Sequence, residues 1–217
     1  LYKTNIISIK VPRLVFSGKF YVWRLEMRSR IWLSATAAVM ASSVSYSFSD
    51  AAGPMTVGPW ETTVGPNGEI QVPDTDFRKN WTALGTWALS EEDEGVTEQH
   101  VVYAPPMSVA AYRKTGKFPD GTVIVKELFK TKSDYMTTGY ANWQTDVAGW
   151  FVMVKDDKGR FPANDLWGDG WGWAYFDADD RDHPTTKSYK EECVPCHEPA
   201  KATDWLYVQG YPVLKGD

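Results

Sequence analysis

The chain has 217 residues, room for one domain of ordinary size and short for two. With 43% hydrophobic and 24% charged residues it is neither disordered nor fibrous, and a formal charge of −5 gives nucleic acid no electrostatic footing. Aromatic residues are abundant, at 11 Trp, 11 Tyr and 9 Phe, whereas two cysteines and three histidines are too few for a disulfide scaffold or a multi-zinc protein.

The first 50 residues carry seven basic and two acidic side chains, and residues 51–217 carry 16 basic and 26 acidic ones. Met27-Arg28-Ser29-Arg30 is a short basic segment. Ile31 to Ala41 is uncharged and mostly apolar, and small residues follow at Ser42, Ser43, Ser45 and Ala51-Ala52. This order predicts a secretory signal peptide over 27–51, cut somewhere in 43–52, and a periplasmic or secreted product. The apolar run is too short to span a bilayer comfortably, so no stable membrane span is expected after cleavage. An amphipathic surface helix and an uncleaved anchor are the competing readings. Residues 1–26 fit no signal and are read as upstream sequence, Met27 being a natural start. An extended leader rich in Gly and Pro is expected over 52–76, and the main domain over 77–217.

Asp74-Thr75-Asp76 is placed to cap a short helix running to about Trp81. Trp81 to Leu89 reads as a strand, Ser90 to Gly95 as an acidic loop, and Gln99 to Tyr103 as a second strand. Pro106 to Thr115 is predicted helical, with Pro near its start and Gly116 beyond its end. Phe118-Pro119-Asp120-Gly121 is a turn by composition, and Thr122 to Lys130 is the next strand. Two more strands are expected at Tyr135 to Trp143 and Val147 to Lys155, before a turn at Asp156 to Gly159. Leu166 to Gly172 reads as a loop, Trp171 to Phe176 as an alternating strand, Asp177 to His183 as a solvated acidic loop, and Lys187 to Ala202 as partly helical. Five or six strands in succession without a βαβ rhythm predict a β-rich α+β fold, an antiparallel sheet or barrel with a few short helices.

Both cysteines lie in Cys193-Val194-Pro195-Cys196-His197. Cys-x-x-Cys-His is the attachment motif of c-type haem. Two thiols three residues apart reach the two vinyl groups of one porphyrin, and the adjacent histidine is held under the iron as its axial ligand. The competing readings are poorer. A thioredoxin-type pair should open a helix in a βαβ context, a structural zinc site needs four ligands and normally a second pair, and a simple disulfide is the plainest alternative. One covalently attached haem c is therefore expected, with His197 as proximal iron ligand.

Only 20 residues follow His197, and none is Met or His. A sixth ligand would have to come from upstream, from His100, His183, Met107, Met136, Met153 or a lysine. No obvious candidate stands out, which favours an open distal position for a small ligand. His100 itself reads more naturally as a satisfied sheet histidine. In the strand from Thr122, residues Ile124, Lys126 and Leu128 share one face, and Val123, Val125, Glu127 and Phe129 the other. A lysine between aliphatic neighbours is desolvated, which favours the neutral, nucleophilic amine; a strand-edge lysine snorkelling to water is the plainer alternative. Asp177, Asp179, Asp180 and Asp182 lack the glycine and closing glutamate of a calcium loop. Trp150, Trp171 and Trp173 serve either as cavity lining or as core.

Several segments together resemble the cytochrome P-460 family. They are Phe118 to Glu127, Gly159-Arg160-Phe161-Pro162, Trp173-Ala174-Tyr175-Phe176, Cys193 to His197, and Tyr207 to Leu214. The likeness runs from about Phe77 to Leu214. It implies a small β-rich haem c domain, commonly a homodimer. In the P-460 enzymes a lysine nitrogen is bonded to the porphyrin edge, and Lys126 stands at that position. Those enzymes oxidise hydroxylamine and pass electrons to a partner cytochrome. Their relatives, the cytochromes c-prime-beta, lack the cross-link, have an apolar distal pocket and bind nitric oxide or carbon monoxide.

One segment departs from the enzymes. They carry a distal carboxylate before Arg-Phe-Pro, whereas here Gly149 to Val154 contains none, and Phe151 or a neighbour takes its place. Losing a positioned base slows proton removal by about 10²–10⁴-fold. Phe151, with Trp150 and Met153, is expected to form an apolar distal wall. The resemblance thus leaves three functions: redox chemistry on hydroxylamine or a similar small nitrogen compound, binding of a diatomic gas without turnover, and plain electron transfer.

Overall fold

The computed structural model describes residues 58–92 and 95–215. The segments read as upstream sequence and signal peptide, and the start of the leader, lie outside the described residues. Six strands form one antiparallel sheet in the order β1-β2-β3-β4-β6-β5. They are β1 (Thr82–Glu91), β2 (Gly95–Ala104), β3 (Val123–Met136), β4 (Gly139–Lys155), β5 (Trp167–Gly168) and β6 (Trp171–Asp177). The sheet leaves β1 and β5 as edges, so it is an open sheet rather than a barrel. The helices are short: α1 (Trp60–Thr63), α2 (Phe77–Asn80), α3 (Pro106–Thr115), α4 (Tyr189–Glu192) and α5 (Val194–His197), followed by three 3₁₀ turns. Among the described residues no helix is long and apolar enough to cross a membrane.

Local chemistry explains most boundaries. The Asp76 side chain accepts from the Lys79 amide and starts α2. Pro106 opens α3 where an amide would lack a partner, and Gly116 ends it at φ 73°. Between β5 and β6, Asp169 and Gly170 both have positive φ, at 54° and 82°. An Asp-Gly pair in that conformation makes a tight hairpin, so the loop expected from Leu166 to Gly172 contains a small strand pair.

The two strands expected at Tyr135–Trp143 and Val147–Lys155 are not separate. Tyr135 and Met136 finish β3, and Gly139–Lys155 is one strand of 17 residues. The reversal lies at Thr137-Thr138, with Gly139 at φ 126°. Threonines are weak turn markers, and this outer half of the hairpin carries an exposed Tyr135 and Tyr140, so no core-facing alternation marks it.

Period-two alternation gives the sheet two buried faces. On one, Ile124, Val102, Met153 and Trp173 pack against α3 and the C-terminal segment. On the other, Val123, Val125, Val152, Ala174 and Phe176 pack against the N-terminal stretch through Ile70, Val72 and Phe77. Each such large side chain contributes about 1.5–3 kcal/mol on burial.

Candidate functional site

The strand register sets side chains of the first face in rows. Val102, Lys126, Phe151 and Tyr175 stand opposite one another on β2, β3, β4 and β6. Ile124, Met153 and Trp173 form the next row, and His100 faces Leu128 on the other side. The C-terminal segment lies over these rows and leaves a cavity of about 450 Å³. That volume falls in the range of about 300–1,000 Å³ typical of cofactor sites.

Two glycines let the segment approach. A Cβ on Gly85 would sit 2.0 Å from the Gly210 carbonyl oxygen, and one on Gly210 would sit 2.3 Å from the Trp87 ring. Trp87 and Tyr211 then meet edge to face, with ring centres 6.2 Å apart, and both line the cavity. Neither follows from sequence, because β1 meets the C-terminus only in the folded chain.

Cys193, Cys196 and His197 all line this cavity. The chain here is helical, with the His197 amide donating to the Cys193 carbonyl at 3.1 Å. Positions i, i+3 and i+4 therefore share a face. The cysteines are unbridged, Cys193 buried and Cys196 exposed. Burial pushes the Cys193 thiol up to about 11.

His197 Nδ1 donates to the Trp205 carbonyl oxygen at 2.7 Å. That bond fixes the tautomer and leaves Nε2 with its lone pair, the form a metal-ligating histidine requires. Burial also holds the imidazole pKa below its ordinary value. The Trp173 edge, 5.1 Å between ring centres, and Tyr207 confine the ring. The acceptor carbonyl sits in an unusual turn: Asp204 and Trp205 both have positive φ, at 60° and 68°. Each costs about 1–2 kcal/mol for a residue with a side chain. The turn is held by the buried Asp204 carboxylate, which accepts from the Phe118 amide at 3.0 Å and from Lys155 Nζ at 2.9 Å. Asp204 and Lys155 thus position His197 from a distance, a role their sequence context does not advertise.

Lys126 points into the cavity. Its Nζ lies 4.4 Å from the centre of the Phe151 ring, and burial lowers its pKa. Among the described residues no carboxylate pairs with it. Phe151 and Met153 also line the cavity. Trp150 does not, and here the sequence expectation is corrected. It alternates onto the opposite face, where its Nε1 donates to Glu127 at 3.0 Å and the Arg181 guanidinium lies over its ring. Phe151 stands directly opposite Lys126, so its neighbour must face away.

Of the sequence candidates for a sixth ligand, His100, Met153 and Lys126 line the cavity, whereas Met107, Met136 and His183 do not. His100 is buried and its Nε2 is paired with Glu98. Trp173 lines the cavity, while Trp171 lies beneath Lys155 in the core.

The donor set fits a haem. It combines two unbridged thiols and a neutral imidazole on one helical face with a largely apolar cavity of cofactor size. The family model described as cytochrome P460 matches residues 75–208. No curated protein matches the chain.

Proposed function

Because the chain belongs to the cytochrome P460 family, a family of haem cytochromes, we propose that it is a periplasmic or secreted mono-haem c protein that performs redox chemistry on hydroxylamine or a related small nitrogen compound. Cys193 and Cys196 would carry the thioether tethers, and His197 Nε2 would ligate the iron. Haem, when bound, supplies a redox-active iron with a coordination position free for a small ligand. The remaining work falls to the chain. Trp205, locked by Asp204 and Lys155, keeps His197 oriented. Trp87, Tyr211 and Met153 give the cavity apolar walls. Lys126 is the residue that would be bonded to the porphyrin edge, and a partner cytochrome would take the electrons.

The observation that carries this reading is Lys126. It is a desolvated amine with no carboxylate at ion-pair distance among the described residues, on the wall of the cavity that holds the Cys193–His197 motif. An unpaired lysine in such a place costs stability, so its presence calls for a chemical role. A second reading, capture of nitric oxide or carbon monoxide without turnover, is favoured by Phe151, whose ring occupies the place opposite Lys126.

The test is the absorption spectrum of the ferrous protein, made with haem c maturation machinery, followed by hydroxylamine consumption with an oxidised acceptor. A strongly red-shifted Soret band with turnover is expected. An ordinary five-coordinate spectrum without turnover would move the assignment to gas binding. A low-spin six-coordinate spectrum would leave only electron transfer.

A further inference from the structure

The cavity wall is apolar except at a few places, and one of them has no part in the chemistry above. His100 and Glu98 project from the same face of β2, two residues apart. His100 is buried and lines the cavity; the Glu98 side chain is 32% exposed and reaches solvent. His100 Nε2 is paired with Glu98 Oε1. An ionised carboxylate only accepts, so the ring proton sits on Nε2 and Nδ1 keeps a lone pair. Among the described residues no donor reaches that Nδ1. The ring is thus a base oriented by a carboxylate, the arrangement that general-base sites use.

We propose that the Glu98–His100 pair is the hydrogen-bond and proton acceptor of the cavity, selecting ligands that bear an N–H or O–H group over diatomic gases. The inference rests on the proposed function and narrows its ligand class. Gly149 to Val154 on β4 holds no carboxylate, and the base stands one strand beyond Lys126, on β2. A proton leaving the ligand goes to Nδ1, the Nε2 proton passes to Glu98, and Glu98 returns it to water. No electron moves in these steps. Burial lowers the His100 pKa and keeps the ring neutral and able to accept; Lys126 is its neighbour on β3. Lys130, opposite Glu98 across the β2–β3 register, and Tyr175 on β6, whose phenol feels the Glu98 charge, are the other titratable groups nearby.

The test compares two probes on the haem-loaded protein: hydroxylamine, titrated anaerobically without an electron acceptor, and carbon monoxide. His100→Phe is expected to weaken hydroxylamine binding about tenfold, the worth of one buried hydrogen bond, and to leave carbon monoxide affinity within about twofold. His100→Gln, which keeps an acceptor, should recover part of the loss. Glu98→Gln, which releases the tautomer, should cost less than His100→Phe. Nitrogen-15 NMR of the diamagnetic ferrous carbonyl form of the unaltered protein should show His100 protonated at Nε2 and bare at Nδ1. The opposite tautomer, or a His100→Phe loss equal for both probes, would overturn the assignment while leaving the proposed function standing. A protein that takes up no haem would overturn the proposed function and this assignment with it.

Discussion

Lys126 and Glu127 are neighbours in sequence and face opposite sides of the same sheet, and the two sides treat charge in opposite ways. Glu127 is buried on the structural face, where Arg78 grips it through two bonds of 2.9 and 2.6 Å and Trp150 adds a third. Its charge is compensated within the fold. Lys126 is half-buried on the cavity face, where its amine lies over an aromatic ring with no carboxylate at ion-pair distance among the described residues. A fold that can supply partners one residue away, and does not, leaves that amine available. The contrast separates a charge compensated within the fold from one set on a cavity wall without an ion pair.

The largest effects should come from the cavity face. His197→Ala or the pair Cys193→Ala and Cys196→Ala should abolish stable haem retention. Haem staining after denaturing electrophoresis reads this directly, and full staining in the double cysteine variant would contradict the attachment. In the haem-free protein, buried Cys193 should be alkylated at least about tenfold more slowly than exposed Cys196 at pH 8, as timed by mass spectrometry.

The structural face should answer in stability. Arg78→Ala leaves the Glu127 carboxylate buried with Trp150 alone and should cost about 2–3 kcal/mol in urea unfolding. The figure is below that of a fully buried pair because the Arg78 side chain is 53% exposed. Haem content should survive.

Lys126→Met sharpens the comparison through pH. Burial lowers the Lys126 pKa, so the unfolded chain holds this proton more tightly than the folded one. Stability therefore rises with pH from the depressed folded value up to the ordinary 10.5. Where the amine is free, Lys126→Met should be the more stable protein below that window, and the difference should vanish above it. A bonded amine does not titrate, and the pH dependence attributed to it would be missing. The smallest effect belongs to the outer hairpin. Tyr135 and Tyr140 pair across the strands with ring centres 4.9 Å apart, yet both are exposed. Tyr140→Ser should cost at most about 0.5–1 kcal/mol and leave the site untouched.

The sequence makes some of this legible and hides the rest for physical reasons. Helix Pro106–Thr115 is written in its ends, because proline and glycine act locally. The facing of Lys126 away from Glu127 follows from alternation alone. Alternation also separates Phe151 and Met153 from Trp150, once Phe151 is set opposite Lys126. The Cys193–His197 motif announces its own chemistry through spacing. What sequence does not show is assembly. The lid over the cavity depends on Gly85 meeting Gly210, across 125 residues. The orientation of His197 depends on a left-handed turn at Asp204-Trp205 that a distant lysine holds. The pairing of Glu98 with His100 has a local spacing of two, but its meaning depends on which face of β2 the cavity occupies.

The measurement that bears most directly on the central claim is peptide mass mapping of the purified haem-loaded protein after proteolysis. One haem attached to the peptide carrying Cys193 and Cys196, and through the same haem to the peptide carrying Lys126, is the expected result. A disulfide between Cys193 and Cys196 with no attached haem would contradict it.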